Sequence, residues 1–265
     1  MPSILIDILP SILNHVDKAD LLTICFVNKD YCSFSQDALY RDIRIYKLSE
    51  ASRICQTLAQ FTHLARRVRS FHISSDLDSE LLCSIPELST SLRSMIFLRN
   101  LGLYTFTNDF SFLGGCTFKL ASFTCNYFDL EPLQQFLLSQ PSLTNVGLGL
   151  FMDIDDPFEI GATFLPNVTR VTTQFSWLAQ IIPNRPVNEV DCIGSVNDAD
   201  SVDLSFFTRS TAPIQKISID YTYLYPKSGQ LLASIFPSLT HLYIDVVQPN
   251  WFIEDTVREP DCFGI

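Results

Sequence analysis

Along most of the chain the apolar positions repeat one six-residue phrase, apolar-x-x-apolar-x-apolar. It reads Val68-x-x-Phe71-x-Ile73, Leu92-x-x-Met95-x-Phe97, Leu120-x-x-Phe123-x-Cys125 and Leu143-x-x-Val146-x-Leu148. It continues as Val168-x-x-Val171-x-Thr173, Val187-x-x-Val190-x-Cys192, Ile214-x-x-Ile217-x-Ile219 and Leu239-x-x-Leu242-x-Ile244. Successive first positions lie 24, 28, 23, 25, 19, 27 and 25 residues apart. The last two apolar places alternate, which sends both side chains to one side of a short strand. The first place folds inward from the approaching turn. Pro141, Pro166, Pro186, Pro213 and Pro237 stand shortly before it and end any preceding helix. Helix-like stretches such as 130–138 and 230–236 fill the intervals.

One strand plus one helix cannot bury its own apolar face, whereas stacked units bury a continuous core. Phrases of this form at steps of ~20–29 residues resemble leucine-rich repeats. Two of them are near-copies, Pro141-Ser142-Leu143-Thr144-Asn145-Val146 and Pro237-Ser238-Leu239-Thr240-His241-Leu242. The asparagine that bonds backbone at each turn of the strict consensus is missing from most units, so an irregular version is expected. The expected fold class is α/β, a short all-helical head followed by a solenoid of parallel strands with helices. The expected boundaries are a head over 1–46, a connecting helix over 47–66 and about eight units over 67–265. Ala51, Ile54, Cys55 and Leu58 place the connector's apolar residues at helical spacing. At the far end, either Trp251, Phe252 and Ile253 cover the last strand or the chain is a truncated form of a longer stack. An ordinary α/β sheet is the alternative fold, but Gly147-x-Gly149 lacks the third glycine of a nucleotide fingerprint.

The first 46 residues carry a different pattern. Ile8, Leu9, Ile12, Leu13 and Val16 lie on one helical stripe, with Asp7 as the expected N-cap and Pro10 in the first turn. Asp17 and Asp20 open a second helix containing Leu21, Leu22, Ile24, Cys25 and Val27, and Tyr31 and Phe34 continue a third. Three short helices cannot bury all of this apolar surface, so a docking face is expected.

These residues resemble an F-box. The run Ile8-Leu9-Pro10-Ser11-Ile12-Leu13, then Asp20-Leu21-Leu22, Val27-Asn28-Lys29-Asp30-Tyr31 and Leu39-Tyr40-Arg41-Asp42-Ile43 keeps that family's spacing over about 40 residues. Leu5 stands where the leading proline is usual, Asp7 replaces a glutamate, Asn28 a cysteine, and Tyr31 and Tyr40 two tryptophans. The resemblance implies a head that binds a Skp-type adaptor, and through it a cullin ubiquitin ligase, while the repeats hold a protein substrate. It implies adaptor contacts from Leu5, Ile8, Leu9, Ile12, Leu13, Val16, Leu21, Leu22, Val27 and Tyr31. An unrelated helical cap on a plain binding scaffold is the alternative.

The outward strand places line the concave face of such a stack, on the order of 35 Å long. That suits a peptide or protein substrate. Its expected contacts are Arg170, Gln174, Glu189, Asp191, Lys216, Asp220, His241, Tyr243 and Asp245. The acids among them suggest a basic recognition segment, set against a merely solvated face.

Composition narrows the classes. Hydrophobic residues make up 47% of the chain and charged ones only 18%, enough for a substantial core. A net charge of −11 disfavours nucleic acid and anionic membranes as partners. Arg66, Arg67 and Arg69 form the nearest thing to a basic cluster and read as a solvated face. The eight cysteines form no C-x-x-C pair, which points to free thiols in a reducing compartment. No run of ~18 apolar residues occurs and the N-terminus lacks a basic export signal, so a cytoplasmic or nuclear location is expected. The four histidines are scattered and Asp153, Asp155 and Asp156 lack the pattern of a calcium loop. Neither catalysis nor a cofactor is therefore expected.

Overall fold

The computed structural model describes residues 2–74, 85–104, 110–126, 130–149, 161, 164–193, 203–220, 224 and 229–245. Its head consists of helices α1 (Pro2–Leu13), α2 (Lys18–Ile24) and α3 (Lys29–Arg41). Helix α1 starts earlier than the sequence pattern suggested, so Asp7 lies within it and does not cap it. Pro10 is consequently interior, where its ring removes one backbone bond. Asn28 caps α3 by accepting the Tyr31 backbone N–H at 2.9 Å.

Among the described residues, nine strands then form one sheet in strictly sequential order, every neighbouring pair parallel. They are β1 (Asp42–Ile45), β2 (Ser70–Ser74), β3 (Asn100–Tyr104), β4 (Ser122–Cys125), β5 (Asn145–Leu148), β6 (Arg170–Gln174), β7 (Glu189–Ile193), β8 (Lys216–Asp220) and β9 (His241–Asp245). Sequential order and one strand per unit make this a solenoid of the leucine-rich-repeat type. Helices α4 (Leu48–Gln60), α6 (Leu88–Ser94), α7 (Leu130–Leu138) and α8 (Phe175–Ile181), with 3-10 turns at Ser111–Leu113 and Ser205–Arg209, supply the other layer. The short α5 (Thr62–Ala65) joins α4 to β2.

Two corrections follow from the strand positions. The sheet begins inside the segment assigned to the head, because Tyr40, Ile43 and Ile45 form an unrecognised first phrase packed into the body core. The connecting helix expected over 47–66 is accordingly the β1-to-β2 crossover of a first repeat, with Ala51, Cys55 and Leu58 fully buried. The second phrase also shifts. Leu88, Ser91 and Leu92 are buried at helical spacing on α6, and the strand phrase is Leu98-x-x-Leu101-x-Leu103. Dense apolar residues made two registers readable there, and the 3.6-residue period of α6 took the earlier one. The alternate positions of the displaced phrase, Ser94, Ile96 and Leu98, which its register would have turned outward, are therefore not strand positions.

A backbone ladder fixes this register. The carbonyl of each phrase's second residue accepts two N–H groups from the next phrase. Arg69 receives Arg99 and Asn100 at 2.8 and 3.0 Å, and Arg99 receives Ala121 and Ser122 at 2.7 and 3.0 Å. The same pattern recurs at Ala121, Thr144, Thr169, Asn188 and Gln215. Hydroxyls add a second line: Ser142 donates to the Leu120 carbonyl, Thr144 to Ala121, Thr169 to Thr144, Ser210 to Val187 and Thr240 to Gln215. Short hydroxyl side chains thus do the work of the missing consensus asparagines, because they reach a carbonyl one repeat away.

Aromatic residues complete the core. The Phe206 and Phe207 rings lie 4.3 Å apart, with Phe175 at 5.3 Å from Phe206 and Phe236 at 5.0 Å from Phe207. At the far end the pattern opens: Leu242 and Ile244, inward by phrase, remain about half exposed. Trp251, Phe252 and Ile253, as well as Asp153, Asp155 and Asp156, lie outside the described residues.

Candidate functional site: the head patch and the open sheet face

The expected adaptor surface divides into two sets. Leu9, Leu13 and Leu21 are buried together as the head's own core, and Val16 and Tyr31 pack against them with Ile24, Phe34, Ala38 and Leu39. Ile8, Ile12, Leu22 and Val27 are exposed, joined by Phe26 at 89% exposure. Leu9, Leu13 and Leu21 are thus corrected from contact residues to core, since one helical stripe must hold three helices together before it can offer a surface. The side chain of Leu5 lies outside the described residues. Phe26 was missed because it follows α2 in the turn, off any periodic stripe.

Arg67 joins head to body. Its guanidinium donates to the Ser33 carbonyl at 2.9 Å, to the Ser33 hydroxyl at 3.3 Å and to the Asp37 carboxylate on α3. Arg69 stands 4.9 Å over the Phe97 ring and donates to the Arg66 carbonyl at 2.7 Å. The basic cluster is therefore largely structural and not a solvated face.

The side of the sheet turned away from the buried core presents two full rows of outward residues. Strand register sets the first row as Asp42, Ser70, Asn100, Ser122, Asn145, Arg170, Glu189, Lys216 and His241. The second row runs Arg44, His72, Gly102, Thr124, Gly147, Thr172, Asp191, Ser218 and Tyr243. The expected substrate residues all belong to these strands, but they do not form one acidic patch. Glu189 is paired with Arg170 at 3.5 Å and faces Lys216 on its other side. Asp220 is only 3% exposed, and the Asp245 side chain lies outside the described residues. Gln174 and Asp191 stay partly exposed, and the His241 and Tyr243 rings stack at 6.3 Å. Among the described residues, Glu189 is shared with Arg170 and Asp191 stays partly exposed, so the acids of this face do not gather into one patch for a basic segment.

Two hollows occupy the other half of the face. The first, about 330 Å³, is lined by Arg44, Ile45, Tyr46, His72, Ser74 and Tyr104. The second, about 260 Å³, is lined by Tyr104, Ser122, Thr124, Asn145, Val146, Gly147, Arg170 and Thr172. Tyr104 borders both. Its ring stacks on His72 at 6.2 Å, and a Cβ on Gly102 would come within 2.3 Å of the His72 ring. Glycine at 102 therefore makes room for the stack. Arg44, Tyr46 and Tyr104 escaped the sequence reading because the first phrase was unrecognised and the β3 register was displaced.

Burial pushes the His72 pKa below its ordinary value, Arg44 adding to the shift and Asp42 opposing it. The ring accordingly sits neutral near pH 7, 2.8 Å from the Ser70 hydroxyl. A depressed histidine pKa means the unfolded chain takes up the proton first as pH falls below about 6.5. Its contribution to stability is thus present above that pH and declines below it. Urea midpoints at pH 7.5 and 5.5 should therefore differ more in the wild type than in His72→Asn. Equal differences would show that His72 does not sense pH.

Among the described residues no group of three or more His, Cys, Asp and Glu is placed to hold a metal, and no helix is long and apolar enough to cross a membrane. Neither a family model nor a curated protein sequence matches the chain. Among solved structures, an internalin (inlF) from Listeria monocytogenes is similar at a TM-score of 0.34 and 12% identity, over 96% of this chain and 95% of that one. The solenoid assignment rests on the chain's own strand order and ladder.

Proposed function

We propose that this chain is the substrate-recognition subunit of a Skp-cullin-F-box type ubiquitin ligase, its head docking the adaptor and its open sheet face holding a protein substrate. On this reading it binds and presents without catalysing, and it works in the cytoplasm or nucleus. The observation that carries it is the uncovered apolar patch Ile8, Ile12, Leu22, Phe26 and Val27, on a head that already has its own core. Five large apolar side chains left in water on α1, α2 and the turn that follows α2 fit a partner that covers them. The head's sequence resemblance to an F-box selects a Skp-type adaptor as that partner.

Capture by a purified Skp-type adaptor tests this. Wild-type protein should be retained, and the triple variant Ile12→Asp, Leu22→Asp, Phe26→Asp should lose about 100-fold or more in affinity, since charges would enter a desolvated patch. Circular dichroism should be unchanged, because all three side chains face water. Retention of the triple variant, or no capture of the wild type, would overturn the reading. The second reading, a repeat scaffold with the head as its end cap, has one observation in its favour. The head runs without a break into β1 and is pinned to the body through Arg67.

A further inference from the structure

We propose that the half of the open face nearest the head takes an extended acidic peptide, anchored at both ends by arginine. The inference rests on the reading of that face as the substrate-holding surface, and names the substrate chemistry. The chain carries 29 Asp and Glu against 18 Lys and Arg. Even so, the outward positions of four successive strands, β2 to β5, carry no carboxylate. They present hydroxyls, amides, the neutral His72 and two glycines. The stretch is bracketed by Arg44 on β1 and Arg170 on β6. In so acidic a protein, a carboxylate-free tract between two cations is complementary to negative charge and hostile to nothing neutral.

The two hollows give the tract its shape. Each has one arginine on its outer border, Arg44 in one and Arg170 in the other, and Tyr104 stands between them. Gly102 lets His72 and Tyr104 stack, which fixes the central post, and Gly147 contributes backbone to the second hollow. The arginines are near single carboxylates, Asp42 at 3.3 Å and Glu189 at 3.5 Å, yet their side chains remain 61% and 49% exposed. A guanidinium has five donors, so each retains N–H groups for an incoming carboxylate. Five strand steps of ~4.8 Å separate them, about 24 Å, which an extended segment covers in about seven residues. The ligand is therefore a strand-like segment with acids at both ends and small or hydroxyl side chains between. The central tyrosine is free to contact its backbone.

Fluorescence anisotropy on the full chain tests this without any adaptor. The probe is a fluorescein-labelled peptide of about nine residues, with glutamates at each end and serine and alanine between. Its twin carries lysines in place of the glutamates. The acidic peptide should bind, and Arg44→Gln and Arg170→Gln should each weaken it roughly tenfold. Arg53→Gln, at an exposed position on α4 away from the open face, should leave it unchanged, and the lysine twin should not bind. Binding to wild type should also fall as salt rises, a readout that survives if an arginine variant folds poorly. The inference is overturned by no binding of the acidic peptide, by equal binding of the lysine twin, or by indifference to both arginine substitutions. Adaptor capture plays no part in the measurement, so a failed head reading and a failed peptide site are separate results.

Discussion

Arg185→Ala is expected to lower stability by about 3–4 kcal/mol, with a fall in Tm on the order of 10 °C. This arginine is 1% exposed, and among the described residues its hydrogen bonds go to backbone carbonyls. Its guanidinium donates to Gln180, Ile181 and Pro183 at 3.2, 2.8 and 3.0 Å, the carbonyls at and just past the end of α8. It thus caps a helix C-terminus, where a cation also suits the helix dipole. From the same side chain, bonds of 2.6 and 2.9 Å reach Phe164 and Gly161 in the preceding repeat. Two residues with left-handed backbone, Leu165 at φ 52° and Asn184 at φ 63°, adjoin these contacts. That conformation costs a leucine roughly 1–2 kcal/mol, and the arginine's bonds help to offset it. Burial lowers the Arg185 pKa, yet the fork keeps its proton because its carbonyl partners favour the cation. Arg185→Lys should recover little, since one ammonium cannot span two repeats in a planar fork. Urea unfolding checks both variants, and a loss below ~1 kcal/mol in the alanine variant would show that water replaces the fork.

Phe206→Ala is expected to cost a similar amount, about 3–5 kcal/mol. The ring is 2% exposed and is wedged between Phe175 and Phe207, and Phe207 in turn meets Phe236. These four rings follow β6, β7 and β8, so they connect three successive units. In a repeat stack each unit contacts only its neighbours, so the damage should stay local. Hydrogen exchange should show amides of β7 to β9 losing protection while β2 to β4 keep theirs. Phe206→Leu, which retains most of the volume, should cost less than half as much. Uniform loss along the sheet would mean that the stack unfolds as one cooperative body.

Among the nine described strands, seven phrases were legible in the sequence, six of them because two independent constraints coincide. Alternating apolar residues and a preceding proline or turn point to the same register at Leu120, Leu143, Val168, Val187, Ile214 and Leu239, and at Val68 the flanking polar residues suffice. Where they conflict, local pattern fails. Around Leu88–Leu103 every third or fourth residue is apolar, so helix and strand registers overlap and only packing separates them. At Tyr40–Ile45 the first phrase overlaps the end of α3 and the F-box-like spacing, which hid it. The head patch was half legible. Periodicity identifies a stripe, but which residues of the stripe face another helix depends on how α1, α2 and α3 pack.

The sequence by itself determined a parallel repeat stack and most of its inward residues, because burial of apolar side chains follows a period that each segment carries alone. Tertiary structure decided the rest: that the sheet begins at Asp42, that Leu9 and Leu13 are core while Ile8 and Ile12 are surface, and that Arg185 is a buried clasp. It also decided which charges on the open face are free. Glu189 and Asp220 read as a pair of acids along the chain, but one lies against Arg170 and the other is buried. A charge's availability depends on neighbours that are about 20 to 30 residues away in sequence and one strand away in space.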